Sequence, residues 1–208
     1  MNKPVVDFRL LDEHPKMFVV SGPSGVGKDS VLRALFKTDL PLYFVVTANT
    51  RKPRQDEREG IDYFFVSRQE FERMIAGDEL IEYSNVYDDY KGIPKAQVKK
   101  AMATGKDVIF RLDVQGAEKI KSIYPQAVLI FLLPSNEQEW FKRLGGRRLS
   151  QEKDLDTRIA TVKMELEKAI HFDYLVVNAQ NQIRKTVETI KAIIIAEHHK
   201  PGSHKIEL

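Results

Sequence analysis

Met17-Phe18-Val19-Val20-Ser21-Gly22-Pro23-Ser24-Gly25-Val26-Gly27-Lys28-Asp29-Ser30-Val31-Leu32 is the stretch on which the fold turns. Its first four residues form an unbroken apolar run, the signature of a strand buried on both faces. The run enters a loop punctuated by glycine and proline. Beyond Lys28, the apolar residues Val31, Leu32 and Leu35 fall at helical spacing, so the predicted order is strand, loop, helix. Gly22 to Lys28 has the spacing G-x-x-x-x-G-K. Glycines there let backbone N–H groups turn inward onto a phosphate, the helix start adds partial positive charge, and the lysine adds a full one. Gly22, Pro23, Ser24, Gly25, Val26, Gly27, Lys28, Asp29 and Ser30 are therefore the candidate ATP-binding residues, with Lys28 the candidate catalytic cation. The position after the lysine usually carries a hydroxyl that ligates Mg²⁺. Asp29 stands there instead, and a carboxylate oxygen is a hard ligand suited to the same ion. The alternative is a first-turn acid favoured by the helix dipole.

Outward from this stretch, apolar runs alternate with helical patterns. Residues 42–47, 108–113, 127–133 and 174–178 read as strands. Residues 94–104, 115–124, 137–144, 155–170 and 183–197 read as helices, and the tail from Lys200 reads as frayed. Ser67-Arg68-Gln69-Glu70 has capping-box spacing and predicts a helix over 68–76 ending at Gly77. Such alternation predicts an α/β fold with a parallel sheet flanked by helices. Residues 47–94 break the rhythm with short strand-like runs, including 63–66 and 81–90, and a polar loop over 50–60, as an inserted lobe would.

Composition bounds the rest. At 208 residues, 42% hydrophobic and 30% charged, the chain suits one soluble domain able to bury a core. No apolar run approaches the roughly 18 residues a membrane span needs. Residues 1–16 mix acids and bases without an apolar h-region, so no signal or transit peptide is expected. The absence of cysteine excludes thiolate metal sites, cysteine nucleophiles and disulfides, and a cytoplasmic location is expected. A net charge of +3, from 33 basic and 30 acidic residues, demands no nucleic-acid partner. Neither nucleic acid nor membrane is expected as a partner, and the chain is expected to be a monomer or homodimer. Arg51, Arg54 and Arg58 cluster early; Arg143, Arg147, Arg148 and Arg158 cluster late. Planar bidentate donors in two small groups suit small phosphorylated ligands, against the plainer reading of two solvated faces.

The blocks SGPSGVGK, TANTRKPRQDEREGIDYFFVS, ELIEY, LDVQGA, and the late arginines with VVN stand in the order found in the guanylate kinases, and the chain resembles that family from about Met17 to Glu197. The second block is the most specific. The resemblance implies one P-loop NTPase-type domain over 1–208, with a core at about 15–46, 95–134 and 171–198. A GMP-binding lobe would span about 47–94 and an arginine-bearing lid about 135–170. It implies ATP and GMP as substrates, with Mg²⁺ as cofactor. Thr47, Arg51, Arg54, Tyr63, Glu82, Lys91 and Asp113 would bind GMP: the arginines, Tyr63 and Lys91 at its phosphate, Thr47, Glu82 and Asp113 at its base. A carboxylate suits guanine, which offers two adjacent donors. Arg147 and Arg158 would reach the transferring phosphoryl as catalytic lid residues, and Asn178 would contact the ATP base.

Four positions depart from the common family pattern: Asp29, Lys91 in place of a phosphate-binding tyrosine, Ile93 in place of a hydroxyl residue, and Arg111 in place of an acid. Ile93 lacks that hydroxyl and so one hydrogen bond, worth about 1 kcal/mol. An acid lost at position 111 and gained at 29 leads to the expectation that Arg111 pairs with Asp29 or with a phosphate. GKD, YKGIPK and R-x-D together resemble the organelle-type branch of the family in plants. Two rival functions are a kinase of ribose 1,5-bisphosphate, whose relatives also carry GKDS, and a non-catalytic guanylate-kinase-like binding module, which the intact loop argues against.

Overall fold

The computed structural model describes residues 14–55, 57–86, 89–145 and 152–201, without the side chains of 86, 144, 145 and 152–158. Alternation within three central strands organises the main layer: β1 (Met17–Ser21), β7 (Asp107–Arg111) and β8 (Val128–Leu133). With a side-chain period of two, Met17, Val19, Val108, Phe110, Leu129 and Phe131 enter one buried cluster. Phe18, Val20, Ile109, Val128, Ile130 and Leu132 enter the other. Both faces must then be covered. On the second cluster lie α1 (Lys28–Leu35) and α7 (Ile183–His198), through Val31, Leu35, Val187, Ile190 and Ile194. On the first lie α3 (Lys95–Met102) and α4 (Val114–Ile123), through Val98, Ala101, Ala117 and Ile120. Each fully buried Val, Leu, Ile or Phe contributes roughly 1.5–3 kcal/mol, so these rows are where the fold's stability resides.

With β2 (Leu42–Phe44) and β9 (Tyr174–Val177) at its edges, the sheet has the order β2-β7-β1-β8-β9, and every pairing is parallel. The doubly covered parallel sheet expected from the apolar runs is therefore present. The C-terminal ends of β1 and β7 open on the same edge, which brings the glycine loop beside Arg111 and Asp113.

A second sheet of four strands, ordered β4-β3-β6-β5, is built from β3 (Ala48–Asn49), β4 (Phe64–Phe65), β5 (Leu80–Val86) and β6 (Asp89–Pro94). α2 (Arg68–Ala76) packs on it through Phe71 and Met74. Ser67 caps that helix, its side chain accepting from the Glu70 N–H at 3.1 Å, and Gly77 follows its end. Only half of the expected capping box forms, because the Glu70 carboxylate turns to the Arg73 guanidinium at 2.8 Å. The strand expected over 42–47 stops at Phe44; Val45 still donates to the Ile109 carbonyl at 3.0 Å before the chain leaves for the second sheet.

Two further helices, α5 (Glu137–Gly145) and α6 (Glu152–Lys168), meet at a small cluster around Trp140 and Val162. α6 ends in a single 3-10 turn, Ala169–His171, short of the α-helix expected to 170.

Candidate active site

The loop between β1 and α1 is shaped by glycine and held from outside. At Gly22, φ is +136°, and a Cβ there would meet the Leu132 carbonyl oxygen at 2.5 Å, so only glycine passes β8 at that point. Gly27 starts α1 from the left-handed region, with φ 100°. Trp140 Nε1 donates to the Ser24 carbonyl at 2.9 Å. Arg143 Nη1 and Asn178 Nδ2 both donate to the Val26 carbonyl, each at 2.8 Å. Arg143 is steadied in turn by Glu139 and by the Asn178 carbonyl, while Asn178 Oδ1 accepts from Thr186 Oγ1 at 3.0 Å. Asn178 is thus buried behind the loop with its amide spent on protein partners. Asn178 thereby also serves as a strut beneath the phosphate loop.

Lys28 reaches back along the loop, its ammonium donating to the Gly22 carbonyl and, at 3.3 Å, to that of Pro23. Burial pushes it down to about 8, against the charges of Glu165, Asp29 and Asp113. Beside it, Asp29 Oδ1 accepts from Arg111 Nη1 at 2.5 Å, as expected from the exchange of charge between the two positions. Arg111 also donates to the Asp62 carbonyl at 2.5 Å, and its guanidinium lies 4.3 Å from the centre of the Tyr63 ring. One buried arginine therefore joins the loop helix to the second sheet's approach.

Across a cavity of about 350 Å³ from Lys28 stand the residues expected to meet the acceptor, among them Thr47, Arg51, Arg54, Tyr63, Glu82, Lys91 and Asp113. Arg51 forms a two-pronged pair with Glu57, at 2.6 and 2.5 Å, and lies 5.0 Å from the Tyr63 ring centre. Glu57 also accepts from the Arg54 backbone N–H at 2.8 Å. Its acid therefore aligns both arginines, a role the spacing R-x-P-R-x-x-E contained and the sequence reading left unassigned. Lys91 is pushed down by burial.

Glu82 and Asp113 converge on α4. A Cβ built on Gly116 would lie 3.4 Å from Glu82 Oε1 and 3.5 Å from Asp113 Oδ1. Asp113 caps α4, accepting from the Gly116 N–H at 2.9 Å. Burial, with the Asp113 charge second, pushes Glu82 up to about 7. Ile93 is buried in the core cluster, as an apolar replacement should be. Arg147 lies outside the described residues, and Arg158 is carried on α6 with its side chain outside them.

A family profile described as guanylate kinase matches residues 14–197. The chain belongs to the guanylate kinase family. It is 42% identical over 195 residues to "Guanylate kinase 2, chloroplastic/mitochondrial" of Oryza sativa subsp. japonica, an alignment covering 93% of this chain and 68% of that one. It is 40% identical over 184 residues to the guanylate kinase of Halalkalibacterium halodurans, covering 88% and 89% of the two chains. The crystal structure of guanylate kinase from Anaplasma phagocytophilum superposes with a TM-score of 0.73 at 28% identity, covering 92% of this chain and 90% of that one. The expected family and fold are thereby established. The organellar rice relative also agrees with the branch read from GKD and YKGIPK. Among the described residues, no helix of this guanylate kinase family member is long and apolar enough to cross a membrane.

Proposed function

We propose that the chain transfers the γ-phosphoryl group of Mg-ATP to GMP, and to dGMP, with the second sheet as the acceptor lobe and α5 and α6 as parts of the lid. The observation that carries this reading is one shared cavity, with Lys28 and the glycine loop on one wall and the Arg51–Arg54 pair and two half-buried carboxylates on the other. The loop would cradle the ATP phosphates, with Lys28 at the β- and γ-phosphates. Arg51, Arg54, Tyr63 and Lys91 would hold the acceptor phosphate, whose attacking oxygen is already anionic and needs no general base. Glu82 would accept the two adjacent guanine donors, beside Asp113 and Thr47. Arg147 and Arg158 complete the proposal as the lid's catalytic cations. The protein's contribution is then positioning and charge neutralisation, with water kept from the phosphoryl group.

Asp29 suits Mg²⁺ as a single carboxylate ligand. Its Oδ1 is tied to Arg111, but the side chain keeps 39% of its exposure, so an oxygen remains available. Among the described residues, no group of three or more His, Cys, Asp or Glu gathers as a metal cage. One carboxylate with substrate phosphates and water is how Mg²⁺ is commonly held. When bound, the ion supplies neutralisation of the phosphate oxygens.

ADP release coupled to NADH oxidation tests the reading, with Mg-ATP against GMP, dGMP, AMP, UMP and ribose 1,5-bisphosphate, and Lys28→Ala as the blank. Turnover of the two guanine nucleotides alone is expected. Turnover of ribose 1,5-bisphosphate without GMP would overturn it.

A further inference from the structure

One carboxylate in the cavity has no part in the reading above. Thr161, Val162 and Glu165 share a face of α6 and line the cavity wall. That face is fixed by Val162, buried beside Trp140, whose indole holds the glycine loop. Met164, on another face of the helix, is 56% exposed, so the orientation is not one that α6 would readily reverse. Glu165 Oε2 is buried and has no hydrogen-bond partner among the described residues. A buried acceptor left unmade costs roughly 1–3 kcal/mol, so such an atom in a binding cavity calls for a donor from the ligand.

The residues that share the cavity with Glu165 narrow that donor. They include Lys28, Asp113 and Lys91, whose charges also act on it. On the proposed reading, on which this inference rests, those three residues mark the ATP phosphates, the acceptor base and the acceptor phosphate. The part of a nucleoside monophosphate that lies between base and phosphate is its sugar. Phosphate oxygens carry no donor, and the guanine donors are matched by Glu82. Sugar hydroxyls remain, and an acidic side chain on a ribose hydroxyl is a standard means of nucleotide recognition.

We infer that Glu165 accepts a hydrogen bond from a sugar hydroxyl of the acceptor nucleotide, making α6 the wall that reads the ribose. The same contact ties α6, and with it the lid, to an acceptor seated in the lobe. A hydrogen bond to a charged group of this kind corresponds to about a 10- to 100-fold change in affinity.

Steady-state kinetics on GMP, 2′-deoxy-GMP and 3′-deoxy-GMP, for the wild type, Glu165→Gln and Glu165→Ala, test it, with thermal melting as the folding control. Glu165→Ala should raise KM for GMP by about 10- to 100-fold. It should have little effect on the deoxy analogue that lacks the recognised hydroxyl, and Glu165→Gln should fall between. An equal loss on all three acceptors, or no loss on any, would overturn the inference. So would an equal loss that excess Mg²⁺ restores, which would place Glu165 on the metal side. Wild-type silence on GMP would instead defeat the GMP-kinase reading itself, so the two failures are distinguishable.

Discussion

On the donor wall of the cavity, backbone is held by neutral and charged side chains from outside: Trp140 grips the Ser24 carbonyl, and Arg143 and Asn178 grip that of Val26. On the acceptor wall, the functional side chains are themselves held: Glu57 clasps Arg51, and Asp113 presses its charge on Glu82. The donor loop is therefore a preset shape, fixed by bonds to its backbone. The acceptor site is a set of charges whose orientation depends on other charges. A preset shape suits the phosphate chain common to all nucleoside triphosphates, while paired charges can discriminate among acceptors.

Substitutions on either wall test this difference. The largest effect belongs to Lys28→Ala, which should lower kcat by about 1,000-fold while leaving thermal stability close to wild type. A modest loss would mean that the loop backbone alone carries the donor. Arg143→Ala comes next. It removes the bonds to Val26 and Asn178, and should cost about 2 kcal/mol, or about 4–8 °C in Tm, with a higher KM for ATP and an unchanged KM for GMP. A matching rise in KM for GMP would erase the division between the walls.

The pH dependence of KM for GMP probes the acceptor wall. Glu82 is held up to about 7 in the free protein by burial and Asp113, with Lys119 opposing. On the proposed reading its ionised form would accept both guanine donors, and its protonated form would have lost an acceptor. KM for GMP should therefore fall about tenfold from pH 6 to pH 8 and then level off. Because the GMP phosphate also titrates near pH 6, the diagnostic is that Glu82→Gln flattens the profile; an unflattened one would assign the change to the phosphate. Smallest is Glu57→Gln, which should raise KM for GMP about fivefold with little change in kcat, as expected for an aligning partner. A lower KM would mean that Glu57 competes with the phosphate instead.

Much of this was legible along the chain because it is local. The glycine loop follows from its own spacing and its flanking periods, and the α2 cap from Ser67 and Glu70. The Asp29–Arg111 pair was legible for another reason: two departures from a family pattern, opposite in charge, implied each other. Illegible features depend on long-range contact. Trp140 meets Ser24 across 116 positions, and Asn178 meets Val26 across 152. No periodicity announces such bonds, which is why the strut that Asn178 forms beneath the loop went unread. The Glu70 carboxylate went to Arg73 because a charge-assisted bond outcompetes one to a neutral N–H. Glu165 looked like any acid on a charged helix, until the fold turned its face of α6 into the cavity.

On the proposed reading, the half-buried Glu82 carboxylate selects guanine. The ratio of kcat/KM for GMP to that for AMP, measured for wild type and Glu82→Gln, tests it most directly. A strong wild-type preference for GMP is expected, falling by about 100-fold in Glu82→Gln through loss on GMP alone. A Glu82→Gln enzyme that kept the wild-type ratio would contradict it.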